Sequence, residues 1–171
     1  MKKKPTLVLL SDLWGFQNAE WLDHYQHELN DRYAIKLLDS RTLAGIDPSI
    51  TEEQQIHHQF VHGGIDRAIQ QLKGSNLTGI TVLGFSIGGL IAWKAALGGL
   101  NVNKLVAISS TRLRDETHKP KTPVVLFYGE HDPYAPTKEW FNHLELQPNL
   151  LQGGHGIYKN KEFAQFFSKA L

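Results

Sequence analysis

Hydrophobic residues fall along this chain in short runs, separated by longer stretches in which they recur every third or fourth position. Residues 6–10, 33–38, 79–83, 104–108, 123–128 and, more weakly, 149–152 read as strands. The run at 6–10 is apolar with no alternation, the pattern of a strand covered on both faces.

Helical spacing fills the intervals. Trp21, Leu22, Tyr25 and Leu29 share one face of a helix for which Asn18 is the expected cap. After a loop at 40–49, Ile56, Phe60, Ile65, Ile69 and Leu72 give the core face of a longer helix. Ser49 with Glu52, or Thr51 with Gln54, supplies its capping signal. Gly63-Gly64 inside it marks either close packing against a neighbour or a break, since each glycine costs around 1 kcal/mol against alanine. An Ile- and Ala-rich helix over 88–97 stops at Gly98-Gly99. Thr137 caps a short helix, and a last helix is expected to bury Phe163, Phe166 and Phe167. Strands alternating with helices predict a doubly wound α/β domain over 1–171, with a mostly parallel sheet of about six strands.

Composition narrows the picture mainly by exclusion. A net charge of +1 gives no reason to expect a nucleic acid or other polyanion as partner. With no cysteine, thiol catalysis and Cys-based zinc sites are excluded. Lys2-Lys3-Lys4 precedes an apolar run that ends at Ser11-Asp12, shorter than the roughly 7–15 residues of a signal-peptide core. No stretch reaches the roughly 20 apolar residues of a membrane span. A soluble, cytoplasmic protein is the expectation.

The candidate chemistry lies in the loops after the strands. Gly84-Phe85-Ser86-Ile87-Gly88 stands between the third strand and the next helix and matches a nucleophile elbow, where glycines flank a serine on a strained turn. Gly129-Glu130-His131-Asp132-Pro133-Tyr134-Ala135-Pro136 follows the fifth strand, and Gly153-Gly154-His155 the sixth. Functional groups of open α/β sheets gather at the carboxyl ends of strands. The order Ser, Asp, His is the one found in α/β hydrolases.

On these three motifs the chain resembles the α/β-hydrolase superfamily over nearly its whole length. The resemblance implies a Ser86 nucleophile, His155 as general base and then acid, and Asp132 as its orienting partner, with Glu130 the rival acid. It implies an oxyanion hole in which Ile87 N–H is one donor and the loop 11–15 gives the other, Leu13 first and Trp14 second. Many relatives carry His-Gly after the first strand, and this chain has Ser11-Asp12. Asp12 is therefore expected to point away from the oxyanion or to accept hydrogen bonds from its own loop. No cap domain is expected, because only the polar stretch 109–122 stands where superfamily members insert one, and the site should be open and shallow. The chain begins directly at a core strand, the pattern of a minimal superfamily member.

Trp14, Phe85, Tyr134 and Arg112 are the candidate pocket residues. Arg112 and Arg114 suit a substrate carboxylate or phosphate, and equally a solvated loop. His57, His58 and His62, like His24 and His27, stand at helical spacing without His-Glu-x-x-His, so they read as exposed helix faces; neither a metal nor a cofactor is implied. The expected activity is cleavage of a small carboxylic ester or thioester, including a carrier-linked one, through an acyl-enzyme. Two other readings stay open: a protein of this fold with an impaired site that serves interaction, and a phosphate- or nucleotide-binding module using Gly84 to Gly89 at a helix N-terminus.

Overall fold

In the computed structural model, which describes residues 4–171 and so leaves Lys2 and Lys3 of the basic start outside, six strands form one parallel sheet. They are β1 (Thr6–Leu10), β2 (Ala34–Leu38), β3 (Ile80–Phe85), β4 (Val102–Ile108), β5 (Val124–Gly129) and β6 (Pro148–Leu151), in the order β2-β1-β3-β4-β5-β6. The chain leaves β1 for β2 on one side and returns to place β3 on the other. The order thus reverses between β1 and β3, and the crevice beyond their carboxyl ends is where such sheets bind ligands.

Strand alternation divides the core into two layers. Val8, Leu10, Val82, Leu105, Ala107, Leu126 and Tyr128 face one side, packing against the central helices. Leu7, Leu9, Leu83, Phe85, Val106, Ile108 and Phe127 face the other, with the first and last helices. β1, β3 and β4 are buried on both faces, which is why they read as unbroken apolar runs. The edge strands β2 and β6 keep half-exposed side chains.

The helices are α1 (Leu22–Leu29), α2 (Ser40–Ala44), α3 (Glu53–Gln59), α4 (Ile65–Lys73), α5 (Ile87–Leu97), α6 (Lys138–His143) and α7 (Lys161–Ser168). Several differ from the expectation. α1 buries Leu22, Tyr25 and Leu29, but Asn18 is not its cap: it stands at φ 62 in a turn four residues upstream, and Trp21 takes the cap position with no side-chain bond. The stretch 40–49 is not wholly a loop. Asp39 accepts from Thr42 N–H and opens α2, and Gly45, at φ 66, closes it.

The long helix expected after it is two helices. α3 starts behind Glu52, and neither capping pair is used. A widened turn at Phe60–Gly64 bends at His62 and Gly63, the latter at φ 102. A Cβ on Gly64 would stand 2.6 Å from Gln59 O and 3.4 Å from Ala44 Cβ, so the pair supplies both the break and a close approach. Thr137 does cap α6, accepting from Trp140 N–H. In α7, Phe167 is buried and Phe163 half-buried, but Phe166 is 45% exposed and lies edge-on to Phe127. No described helix is long and apolar enough to cross a membrane.

Candidate active site

The turn from β3 into α5 leaves no room for side chains beside the serine. A Cβ on Gly84 would stand 2.5 Å from Gly89 Cα, and one on Gly88 2.5 Å from both Leu10 O and Ser11 O. The glycines thus press α5 against its own strand and against the end of β1. Ser86 takes φ 51 and ψ −115, a conformation that costs a non-glycine residue about 1–3 kcal/mol and persists only where its surroundings fix it. They do so here through three bonds. Ser86 N–H donates to Ile108 O at 2.8 Å, and its carbonyl accepts from Gly89 N–H at 3.1 Å and from Ser110 Oγ at 2.8 Å.

The acid and base loops are held to each other by backbone. Glu130 N–H donates to Leu151 O at 2.8 Å and His131 N–H to Gly153 O at 2.9 Å. Gly129 packs directly on the carbonyls of Gly153 and Gly154, where any side chain would collide. Asp132 turns its fully buried side chain inward; Oδ1 accepts Tyr134 N–H at 3.1 Å and Oδ2 meets His155 Nδ1 at 2.8 Å. His155 Nε2 lies 3.0 Å from Ser86 Oγ. The three side chains form one hydrogen-bonded line, with the carboxylate dry and the imidazole open to the cleft. Glu130, the rival acid, is exposed.

The loop 11–15 closes the other side of Ser86. Asp12 is buried, and its carboxylate accepts Trp14 N–H at 3.0 Å and Tyr158 Oη–H at 2.8 Å, with Lys159 Nζ at 3.8 Å. It does accept from its own loop, as expected, and it also ties that loop to the turn His155–Lys159 that carries the histidine. Burial pushes the Asp12 carboxyl above its usual range, against the lowering effects of Tyr158, Lys159, Trp14 N–H and His155. Burial and then the Asp12 charge push the Tyr158 hydroxyl well up, so it stays a donor. Trp14 N–H is occupied by Asp12, whereas no described acceptor takes Leu13 N–H. Ser11 Oγ accepts from Ser40 N–H, and Ser40 Oγ donates to Ser11 O, both at 2.7 Å, so the start of α2 braces the loop from behind.

Ser86 and His155 open into a cleft of about 510 Å³ lined by Leu13, Ile87, Phe60, Tyr134, Arg112 and their neighbours. Leu13, Ile87, Tyr134 and Arg112 are therefore among its lining residues. Two other candidates are not. Phe85 has no exposed surface: it points to the opposite face of the sheet, between Trp21 at 4.8 Å and Tyr25 at 4.9 Å between ring centroids. Trp14, 38% exposed, lines a separate cavity with Asp12, Arg41 and Lys159 rather than the cleft of Ser86.

One wall of the cleft comes from α3 and the turn after it, an element read from the sequence as a core helix with exposed histidines. Glu53, His57 and Val61, spaced four apart on α3 and the turn after it, face the site alongside Phe60. The i, i+4, i+8 stripe beside the core stripe Ile56 and Phe60 is the signal that points to it. The expected shallow opening is thus a cleft with a side wall, although no cap follows β4, where only the short turn Thr111–Asp115 stands. Burial, followed by the Arg112 charge, holds His57 below the usual imidazole range, with Glu53 opposing and Arg114 adding. Among the described residues no three His, Asp or Glu side chains gather as a metal-binding group.

No family model matches the chain. A curated relative, the uncharacterized protein YczH of Bacillus subtilis, is 35% identical over 85 residues, covering 47% of this chain and 40% of its own length. Less than half of that relative is therefore represented. Solved structures resemble the whole chain. A Xanthomonas campestris protein assigned to the α/β superfamily of hydrolases matches with a TM-score of 0.69 and 14% identity, over 99% of this chain and 98% of its own. A dienelactone hydrolase-like promiscuous phosphotriesterase from metagenomic libraries gives 0.69 and 14%, over 99% and 84%. A second Xanthomonas campestris protein, described as a serine hydrolase without a lid, gives 0.56 and 14%, over 99% and 84%. By sheet topology, the strand-to-helix turn at Ser86 and these likenesses, the described residues have the fold of the α/β-hydrolase superfamily, with six strands and no cap domain among them.

Proposed function

We propose that this protein is a serine hydrolase that cleaves a carboxylic ester or thioester through an acyl-enzyme. The observation that carries the reading is the unbroken line from Ser86 Oγ to His155 Nε2 at 3.0 Å and from His155 Nδ1 to Asp132 at 2.8 Å. His155 takes the Ser86 proton as Oγ attacks the carbonyl carbon, and Asp132 holds the tautomer that leaves Nε2 free and stabilises the imidazolium. The tetrahedral oxyanion is received by the backbone N–H groups of Ile87 and Leu13, preset donors that need no rearrangement as charge develops. The protonated histidine then delivers its proton to the departing alcohol or thiol. Water enters, His155 activates it, and its attack on the acyl carbon releases the acid and restores Ser86.

The fold likeness to hydrolases supports a hydrolytic role in general, and the side-chain geometry supports the serine mechanism. The test is turnover of p-nitrophenyl esters and matching thioesters over a series of acyl lengths, beside Ser86→Ala. Hydrolysis that disappears in the variant supports the reading. A folded wild-type protein that cleaves none of them overturns it.

A further inference from the structure

The cleft beside Ser86 is charged unevenly. Arg112 and Arg114, from the turn Thr111–Asp115, and His57, from α3, all line it, and Glu53 is the single carboxylate among the lining residues. The ion pairing of the two arginines is weak. Asp115 stands 3.5 Å from Arg112 and 3.9 Å from Arg114, longer than the roughly 2.7–2.9 Å of a charge-assisted hydrogen bond, and its side chain is 55% exposed. Arg114 spends Nη1 on the carbonyls of Thr111 and Tyr134. Arg112 is different: its side chain is only 30% exposed, yet it donates a hydrogen bond to no described residue. A guanidinium that gives up much of its water for a single long ion pair, to Asp115 at 3.5 Å, keeps N–H donors for an acceptor supplied from outside.

Its position adds a direction. A second groove, of about 630 Å³, shares Glu53, His57, Val61 and Arg112 with the cleft and runs on over His58 and His62. Arg112 therefore stands where the two cavities meet. A group held there belongs to the part of a substrate beyond the reacting carbonyl, with Glu53 repelling it toward the arginines.

We infer that the ester or thioester taken by this site carries an anionic group, a carboxylate or a phosphate, seated on the Arg112 guanidinium with Arg114 and His57 beside it. The inference rests on the serine-hydrolase reading of Ser86 and names the substrate class for it. The planar fork of N–H donors matches either oxyanion, and a half-buried cation attracts it with less screening than one on the open surface.

The test compares p-nitrophenyl hydrogen adipate and a p-nitrophenyl phosphonohexanoate with p-nitrophenyl hexanoate, read as the ratio of kcat/KM for charged over neutral ester within each protein. Taking the ratio cancels any loss of folded protein. It is expected to reach about tenfold at low salt for at least one anion, the size of one charge-assisted contact. In Arg112→Gln, and in wild type at about 0.5 M salt, it should fall toward one, with Arg112→Lys intermediate. Preference for one anion over the other identifies the natural group, and either supports the inference. A ratio of one or less for both, or one that Arg112→Gln leaves unchanged, overturns it. Titration of Ser86→Ala with monomethyl adipate against methyl hexanoate reads the same preference without turnover. A charge preference in binding, with no ester cleaved by wild type, would sink the hydrolase reading alone.

Discussion

Asp12 offers the sharpest probe of how this chain builds its site with Ser11-Asp12 after the first strand. Replacing it with alanine removes the acceptor of Trp14 N–H and of Tyr158 Oη–H. A buried donor left without a partner costs about 1–3 kcal/mol, which sets a gross loss of about 2–6 kcal/mol. Two effects reduce it. The ionised carboxylate is itself poorly tolerated, as its raised pKa records, and the cavity of about 610 Å³ that Asp12 lines lets water reach the orphaned donors. A net loss of about 2 kcal/mol is therefore expected in urea unfolding at neutral pH. Activity should fall as well. In the proposed mechanism Leu13 N–H, next to the Trp14 N–H that Asp12 holds, receives the oxyanion, and loosening that donor without deleting it should cost kcat about 10- to 100-fold.

Asp12→Asn adds a signature in pH. The folded protein holds the Asp12 proton more tightly than the unfolded chain, because burial raises its pKa. Stability from that proton is complete below the unfolded value of about 3.9 and is lost as pH rises through the higher folded value. The asparagine variant lacks this slope, so its stability relative to wild type should improve as pH climbs from about 4 toward neutrality. Asp12→Ala with unchanged kcat and a stability loss under about 0.5 kcal/mol would refute the reasoning, as would an Asp12→Asn difference flat in pH.

Two further outcomes follow from the packing. Gly89→Ala drives a Cβ onto Ser110 Oγ and to 2.9 Å from Ala107 Cβ, displacing the hydroxyl that bonds Ser86 O. It should cost about 1–3 kcal/mol, visible as a lower Tm, together with activity. Phe85→Leu should destabilise by about 1–2 kcal/mol through lost aromatic contacts while the folded fraction keeps its KM, since Phe85 faces the core and not the substrate; a KM shift with no stability loss would contradict this.

The comparison of sequence with structure turns on direction more than on identity. β1, β3, β4 and β5 were legible because short, mostly apolar runs bounded by loop residues suit a strand buried on both faces. The Ser86 turn was legible because its glycine spacing reflects contacts that no side chain survives. The same glycines held the answer for Phe85. Gly84 must face α5, so strand alternation sends Phe85 to the opposite layer. Trp14 was not legible in this way, since a loop has no period and Asp12 decides where its backbone goes. α2 was hidden because five residues are too few for helical spacing to register, although Asp39 and Gly45 mark its two ends. His57 was read only as part of an exposed helix face, and Glu53 and Val61 were not singled out. Which neighbour a polar stripe meets depends on the bend at Gly63, and the sequence leaves that between a break and a close contact.

The central claim is that Ser86 is a nucleophile activated by His155. Intact-protein and peptide mass spectrometry after exposure to a fluorophosphonate tests it most directly. The account predicts a single adduct on Ser86 in wild type, none in Ser86→Ala, and much slower formation in His155→Ala. A folded wild-type protein that stays unmodified, or an adduct that persists in Ser86→Ala, would contradict it.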